Sequence, residues 1–278
     1  MKLHAFAPLA TYPEANSETS AAHLVSAAAA LDAKLHVLVL NAQIPDVSNA
    51  LSKFLLDTPR MVREAEAESR DRGEHLLGIV RDKAKALSVA CETDNIAAPI
   101  TSTGEIAARR ARYFDLTLLG WEAENATSRA MAESVIFECG RPVLLLPELS
   151  DIGSFDHVAI AWDGSQVAAR AVADARIFLE RATRISVLTV VDEKPLDESG
   201  IGEKLAAALL DHNLPAQSVS LEAEDCPIAE TLQQEAIRRG CKLLVMGGYG
   251  HSRMRDFVLG GATEGVLSDL LMPVLLSH

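Results

Sequence analysis

The feature that most constrains this chain is that its second half repeats its first. The run Phe114–Gly120 (FDLTLLG) resembles Cys241–Gly247 (CKLLVMG), and Arg141–Leu146 (RPVLLL) resembles Met272–Leu276 (MPVLL). A helical stretch lies between these runs in each half. Each half also opens with a short apolar strand, His4 to Pro8 and His157 to Trp162, followed by an Ala-rich helical stretch. A second strand follows, Leu35 to Leu40 in one half and Ile185 to Val191 in the other. Self-similarity at this long period marks a duplicated unit. Strands alternating with helices, five strands to a half, are the signature of βαβ units building a parallel sheet. The predicted fold class is therefore α/β: two tandem doubly wound domains, each a five-stranded parallel sheet of order 3-2-1-4-5 with helices on both faces. The polar stretch Glu148–Ser154 sets the expected boundary, giving domains 1–150 and 151–278.

Length and composition agree with this division. A chain of 278 residues is comfortable for two domains. It is 49% hydrophobic but only 4% aromatic, which suits aliphatic layers between sheet and helices. So few aromatics do not suit a base-stacking surface. The net charge is -13, which opposes a phosphate-backbone partner, so no nucleic acid is expected. Residues 1–150 carry 15 basic and 20 acidic residues, and 151–278 carry 11 and 19. An anion site in the second half therefore needs local positive groups or backbone donors. The charged stretch from about Thr58 to Ser88 is rich in helix formers and reads as a helix with a solvated face.

The four cysteines, Cys91, Cys139, Cys226 and Cys241, form no CxxC pair and have no His cluster at ligand spacing. They read as reduced thiols of a cytoplasmic protein, with no metal site. No stretch approaches the roughly 20 apolar residues that span a bilayer, and the opening apolar run, interrupted by Pro8, reads as a strand rather than a signal peptide.

The chemistry-bearing segment begins where a buried strand ends, at Val245-Met246-Gly247-Gly248-Tyr249-Gly250. His251, Arg253 and Arg255 follow, then Gly260-Gly261-Ala262-Thr263 and a helix through Glu264, Val266, Leu267 and Leu270. Glycines let a backbone approach a ligand closely. Loop N–H groups and a helix N-terminus then point at phosphate oxygens. The same glycines also suit a tight turn that only permits packing. Neither a Walker A loop nor a dinucleotide-binding glycine motif after the first strand is present. Ala161-Trp162-Asp163-Gly164-Ser165 ends the first strand of the same half. In a 3-2-1-4-5 sheet, strands 1 and 4 adjoin at the switch point, so Asp163 and Gly247 would flank one crevice. Asp163 could accept hydrogen bonds from an adenine amino group or ribose hydroxyls. Asp-Gly-Ser is also a common turn and helix cap.

Together these residues resemble the universal stress protein family, whose nucleotide-binding members carry Gly-x2-Gly-x9-Gly-[Ser/Thr] after strand 4 and an Asp ending strand 1. Gly247, Gly250 and Gly260 match the glycine spacing, Asp163 the acid, and Val190 the strand-2 end whose backbone faces adenine in the family. The resemblance covers 155–278 and extends more weakly over 1–148, which makes this a tandem member. It implies ATP or another adenine nucleotide bound by Asp163, Val190, Gly247, Gly250, Gly260, Gly261, Ala262 and Thr263, with Mg²⁺ if the triphosphate is the form bound. One departure is Gly261, which replaces the family's Ser/Thr; the lost hydroxyl contact is worth about 0.5–1.5 kcal/mol. The other departure is the first half, whose loop reads Gly120-Trp121-Glu122-Ala123-Glu124-Asn125, with two glutamates where phosphates would lie. Its first strand ends at Pro8-Leu9 without an acid. That half is expected to be a structural partner, the two halves pairing about a pseudo-twofold through their last strands and helices.

The function implied is a stress-response protein with a regulatory nucleotide site in its C-terminal domain. No catalytic residue is assigned, His251 being the only candidate base. Weak ATPase activity and a nucleotide-free scaffold acting through protein contacts are the alternatives. A homodimer and an unidentified protein partner complete the expectations.

Overall fold

Apolar runs buried on both faces become the inner strands of a parallel sheet, because helices cover it on each side. The computed structural model describes residues 2–45, 57–150, 152–191, 199–223, 226–248 and 261–277. By its internal contacts the chain divides into two units, Met1–Cys139 and Gly140–His278.

The first unit contains strands β1 (His4–Ala10), β2 (Lys34–Gln43), β3 (Cys91–Pro99) and β4 (Leu116–Trp121). They lie in the order β3-β2-β1-β4, with every pairing parallel. β1 runs to Ala10 rather than ending at Pro8-Leu9, because its ladder with β2 continues to Ala10 opposite Leu40. Among the described residues four α-helices connect the strands: α1 (Glu18–Ala30), α2 (Thr58–Ala86), α3 (Thr103–Ala111) and α4 (Ala126–Glu138). α1 packs with α2, and α3 with α4. The long helix α2 buries Ser69, Gly73, Leu76, Leu77, Val80 and Ala84 and leaves most of its charged residues in solvent, so the charged segment is a solvated face over an apolar stripe. Phe6, Leu24, Leu35, Leu38, Leu77 and Leu118 are fully buried in the core.

The second unit contains β5 (Val143–Pro147), β6 (His157–Ala161), β7 (Arg184–Val190), β8 (Ala216–Leu221), β9 (Leu243–Gly247) and β10 (Val274–Ser277). Their order is β5-β10-β9-β6-β7-β8. The last five strands are parallel in the order read from the sequence. β5 ends the first repeat, yet it pairs antiparallel with β10, Leu144 opposite Leu275. That pairing groups β5 with the second unit, so the contacts divide the chain ahead of residue 150. The helices are α5 (Gln166–Asp174), the short α6 (Arg176–Leu179), α7 (Ile201–Asp211), α8 (Ile228–Arg238) and α9 (Gly261–Ser268). Phe178 is buried beneath Phe155, ring edge to face at 5.5 Å.

Candidate functional site

β6 lies between β7 and β9, so their carboxyl ends adjoin at one edge of the second unit. Ile160 stands opposite Val245 on β9. On the other side Ala161 stands opposite Leu188 of β7, and the Trp162 N–H donates to the Leu188 carbonyl at 2.9 Å. Asp163 follows at once. Its Oδ1 accepts from the Ser165 N–H at 2.9 Å, an Asx turn around Gly164, whose φ of +78° favours glycine. Ser165 then caps α5, its hydroxyl accepting the Ala168 N–H at 3.2 Å. Asp-Gly-Ser thus builds turn and cap together. Asp163 remains exposed, and its other oxygen has no hydrogen-bond partner among the described residues.

Val190 is the last residue of β7, half-buried and opposite Leu221 of β8. Gly247 ends β9, and the Gly248 N–H donates to the Ser277 carbonyl at 2.7 Å. Gly261 opens α9, with Ala262 half-buried and Thr263 only 6% exposed. Thr263 already has a partner of its own. Gly250 and Gly260, together with His251, Arg253 and Arg255, lie outside the described residues. The structure therefore brings Asp163, Val190 and Gly247 to one sheet edge, and the helix that follows β9 in the chain starts at Gly261.

Gly247 has a packing role, the alternative its sequence left open, and the structure supplies the partner. A β-carbon there would lie 2.6 Å from the Val167 carbonyl carbon and 2.8 Å from the Ala168 nitrogen. The first turn of α5 thus rests on the glycine's backbone. Gly120 does the same in the first unit, where a β-carbon would lie 2.7 Å from Ser20 Cβ. Ser20 occupies in α1 the place that Ala168 occupies in α5, three residues past the capping serines Ser17 and Ser165.

The strand registers fix the rest of the correspondence. Ala5 faces Leu116 as Val158 faces Leu243, so Ala10 stands where Asp163 stands and no acid ends β1. The connection from β4 to α4 runs only from Glu122 to Asn125, whereas that from β9 to α9 runs from Gly248 to Gly260. Of the two glutamates in the short connection, Glu122 is buried and Glu124 is exposed.

A second polar cluster sits toward the amino ends of the strands. His157 Nε2 is 3.0 Å from Ser186 Oγ and 3.3 Å from Cys241 Sγ, all three buried. Burial pushes the Cys241 thiol up to about 11. Burial, helped by the charge of Arg184, pushes the His157 imidazole below its ordinary value. A thiol held protonated is a poor nucleophile, so this cluster is structural. Among the described residues, no group of three or more His, Cys, Asp or Glu side chains could hold a metal, and no helix is long and apolar enough to cross a membrane.

Residues 154–278 match the model of the Universal stress protein family. Among solved structures, a universal stress protein from Archaeoglobus fulgidus DSM 4304 aligns with a TM-score of 0.71 at 15% identity, covering 98% of this chain and 95% of that one. A candidate universal stress protein from Pseudomonas aeruginosa UCBPP-PA14 aligns with a TM-score of 0.52 at 14% identity, covering 99% and 93%. A functionally unknown protein from Pseudomonas aeruginosa PAO1 aligns with a TM-score of 0.51 at 14% identity, covering 98% and 92%. At these identities the structural likeness establishes the fold, and it does so over nearly the whole chain. No curated protein matches the sequence significantly.

Proposed function

We propose that the C-terminal domain, whose residues 154–278 match the Universal stress protein family, binds an adenine nucleotide as a regulatory module. The observation that carries the reading is the meeting of exposed Asp163, the end of β7 at Val190 and the end of β9 at Gly247 on one sheet edge. The carboxyl edge of an open α/β sheet, beside the switch point, is where such folds take ligands. Asp163 has an oxygen to spare for a ribose or adenine donor, and the backbone at Val190 faces adenine. Gly247, Gly250, Gly260, Gly261, Ala262 and Thr263 cradle the phosphates, on loop N–H groups and the start of α9. ATP is the favoured ligand, and Mg²⁺ would accompany it if the triphosphate is the form bound. Residues 1–150 then form the partner domain and residues 151–278 the binding domain, in a cytoplasmic protein that passes the bound state to a protein partner or a second copy.

One observation favours a nucleotide-free scaffold instead. Gly247 is explained by its packing on Val167 and Ala168, and Gly120 keeps the same contact in a half without the long loop. That position 247 is glycine is therefore accounted for by packing under either reading, and Asp163 with the rest of the loop must discriminate between them.

The test is to denature freshly purified protein, assay the supernatant for nucleotide, and titrate Mg-ATP, ADP and AMP into the stripped protein by calorimetry. About one adenine nucleotide per chain, with binding weakened by Asp163→Ala and Gly250→Glu, supports the reading. No released nucleotide and no heat at millimolar ATP would establish the scaffold. Phosphate release that persists unchanged in Asp163→Ala would point to a contaminating ATPase.

A further inference from the structure

In the N-terminal unit, the carboxyl ends of β1 and β4 lead into two short connections, 11–17 and 122–125. Glu122 is buried there, 7% exposed. Its Oε1 accepts hydrogen bonds from Asn16 Nδ2 at 2.9 Å and from the backbone N–H of Ser17 at 3.0 Å. Its Oε2 accepts from Asn125 Nδ2 at 2.9 Å. Ser17 and Asn125 are the capping residues of α1 and α4. Among the described residues no cation pairs with Glu122, so its carboxylate is held by neutral N–H donors alone.

The donors are themselves fixed. Asn16 exchanges two hydrogen bonds with Ala10, its Oδ1 accepting the Ala10 N–H at 2.8 Å and its own N–H reaching the Ala10 carbonyl at 3.0 Å. Asn125 Nδ2 also donates to the Ala15 carbonyl at 2.9 Å, and its Oδ1 accepts the Ser128 N–H at 2.9 Å. Glu14 completes the arrangement from the opposite connection, its Oε2 accepting the N–H of Ala126, the first residue of α4, at 3.1 Å. Each connection therefore sends one carboxylate to the helix start that follows the other. A charge ringed by N–H donors at helix starts is how folds of this kind hold an anionic ligand.

We propose that Glu122 is a built-in anionic ligand: its carboxylate, held by Asn16, Ser17 and Asn125, occupies the crevice of the N-terminal unit and closes it to anions from solution. The comparison with the C-terminal crevice rests on the nucleotide reading above, but the occupancy of this crevice and its test do not. The chain then offers one nucleotide site rather than two. The short connection is filled from within, while the long one, Gly248 to Gly260, has no equivalent acid at its start, where Tyr249 takes the place of Glu122.

The experiment uses the full chain, Glu122→Ala and Glu122→Gln, with sodium formate as the probe and sodium chloride at matched ionic strength as the control. Thermal melting and amide exchange at the starts of α1 and α4 are read together. Removing the side chain takes one acceptor from each of three donors, Asn16 Nδ2, the Ser17 N–H and Asn125 Nδ2, and leaves room for a small carboxylate. The expected result is lower melting and faster exchange in Glu122→Ala, reversed in a saturable way by formate and not by chloride. Wild type should gain no more from formate than from chloride. Glu122→Gln should also melt lower, because its amide turns an N–H toward a donor. The proposal is overturned if formate acts equally on wild type and Glu122→Ala, or if either variant melts and exchanges as wild type does. Should Glu122→Ala not fold, Glu122→Gln decides alone. A formate-specific rescue in a protein that binds no nucleotide would uphold this inference while sinking the proposed function.

Discussion

Gly247 lies against the first turn of α5 so closely that any β-carbon would meet the Val167 carbonyl carbon at 2.6 Å. Backbone cannot move aside as a flexible side chain can. Gly247→Ala is expected to destabilise the C-terminal unit by ~1–3 kcal/mol, the usual cost of forcing bulk into a packed interior. Gly120→Ala should do the same to the N-terminal unit. Urea unfolding of each variant is the check. If Gly247→Ala kept full stability and lost only nucleotide binding, the packing explanation would be wrong.

Gly78 is the opposite case. It sits inside α2, and nothing lies within 4 Å of where its β-carbon would be. Gly78→Ala should therefore stabilise the protein by ~0.5–1 kcal/mol, by removing the entropy cost of glycine in a helix interior. A lowered unfolding midpoint in urea would contradict this.

Asp163 combines a turn with a proposed ligand contact, and two substitutions separate them. Asn keeps an oxygen for the Ser165 N–H, so Asp163→Asn should leave stability nearly unchanged. A hydrogen bond to a charged group is worth about 1.5–3 kcal/mol, so nucleotide affinity should fall roughly tenfold or more. Asp163→Ala should lose turn and contact alike. Calorimetric titration beside thermal melting distinguishes them; full affinity in Asp163→Asn would remove Asp163 from the binding site.

His157 makes stability depend on pH. Its folded-state imidazole titrates below the ordinary value of 6.5, chiefly because it is buried, and the charges of Arg184 and Arg239 add to this against the opposing charge of Asp156. The unfolded chain thus takes up a proton that the fold resists. The stabilising contribution is complete above pH 6.5 and declines as pH falls from there toward the lower folded-state value. Urea midpoints measured from pH 7.5 to 5 should show this decline, and His157→Gln should flatten it. An unaltered slope in the variant would assign the decline to other groups.

The cysteines should label in order of exposure. Cys226 is exposed, while Cys139 and Cys241 are buried and the Cys241 thiol is pushed up to about 11. A disulfide reagent at pH 8 should modify Cys226 first, with Cys139 and Cys241 reacting only on unfolding. Cys91, half-buried and also shifted upward by burial, should fall between them. Rapid native labelling of Cys241 would show that its cluster opens.

The sequence by itself determined the repeat, the alternation of strands and helices, the order of strands in the C-terminal half and the solvated face of α2. These follow from which residues must be buried, and burial leaves its period in the sequence. It also placed Asp163 and Gly247 at neighbouring strand ends, because strand order alone fixes which ends adjoin. Only the tertiary structure decided what the individual atoms meet. The sequence showed Glu122 and Glu124 as two charges repelling phosphate, and the fold exposes one and surrounds the other with Asn16, Ser17 and Asn125. Gly247 read as a phosphate-loop glycine or a packing glycine, and only the fold shows that it seats the first turn of α5. The sequence made β5 a last strand that pairs with its counterpart, and only the fold supplies the antiparallel register, Leu144 opposite Leu275. Close approach, hydrogen-bond partnership and edge pairing join residues far apart in the chain, and no local period records them.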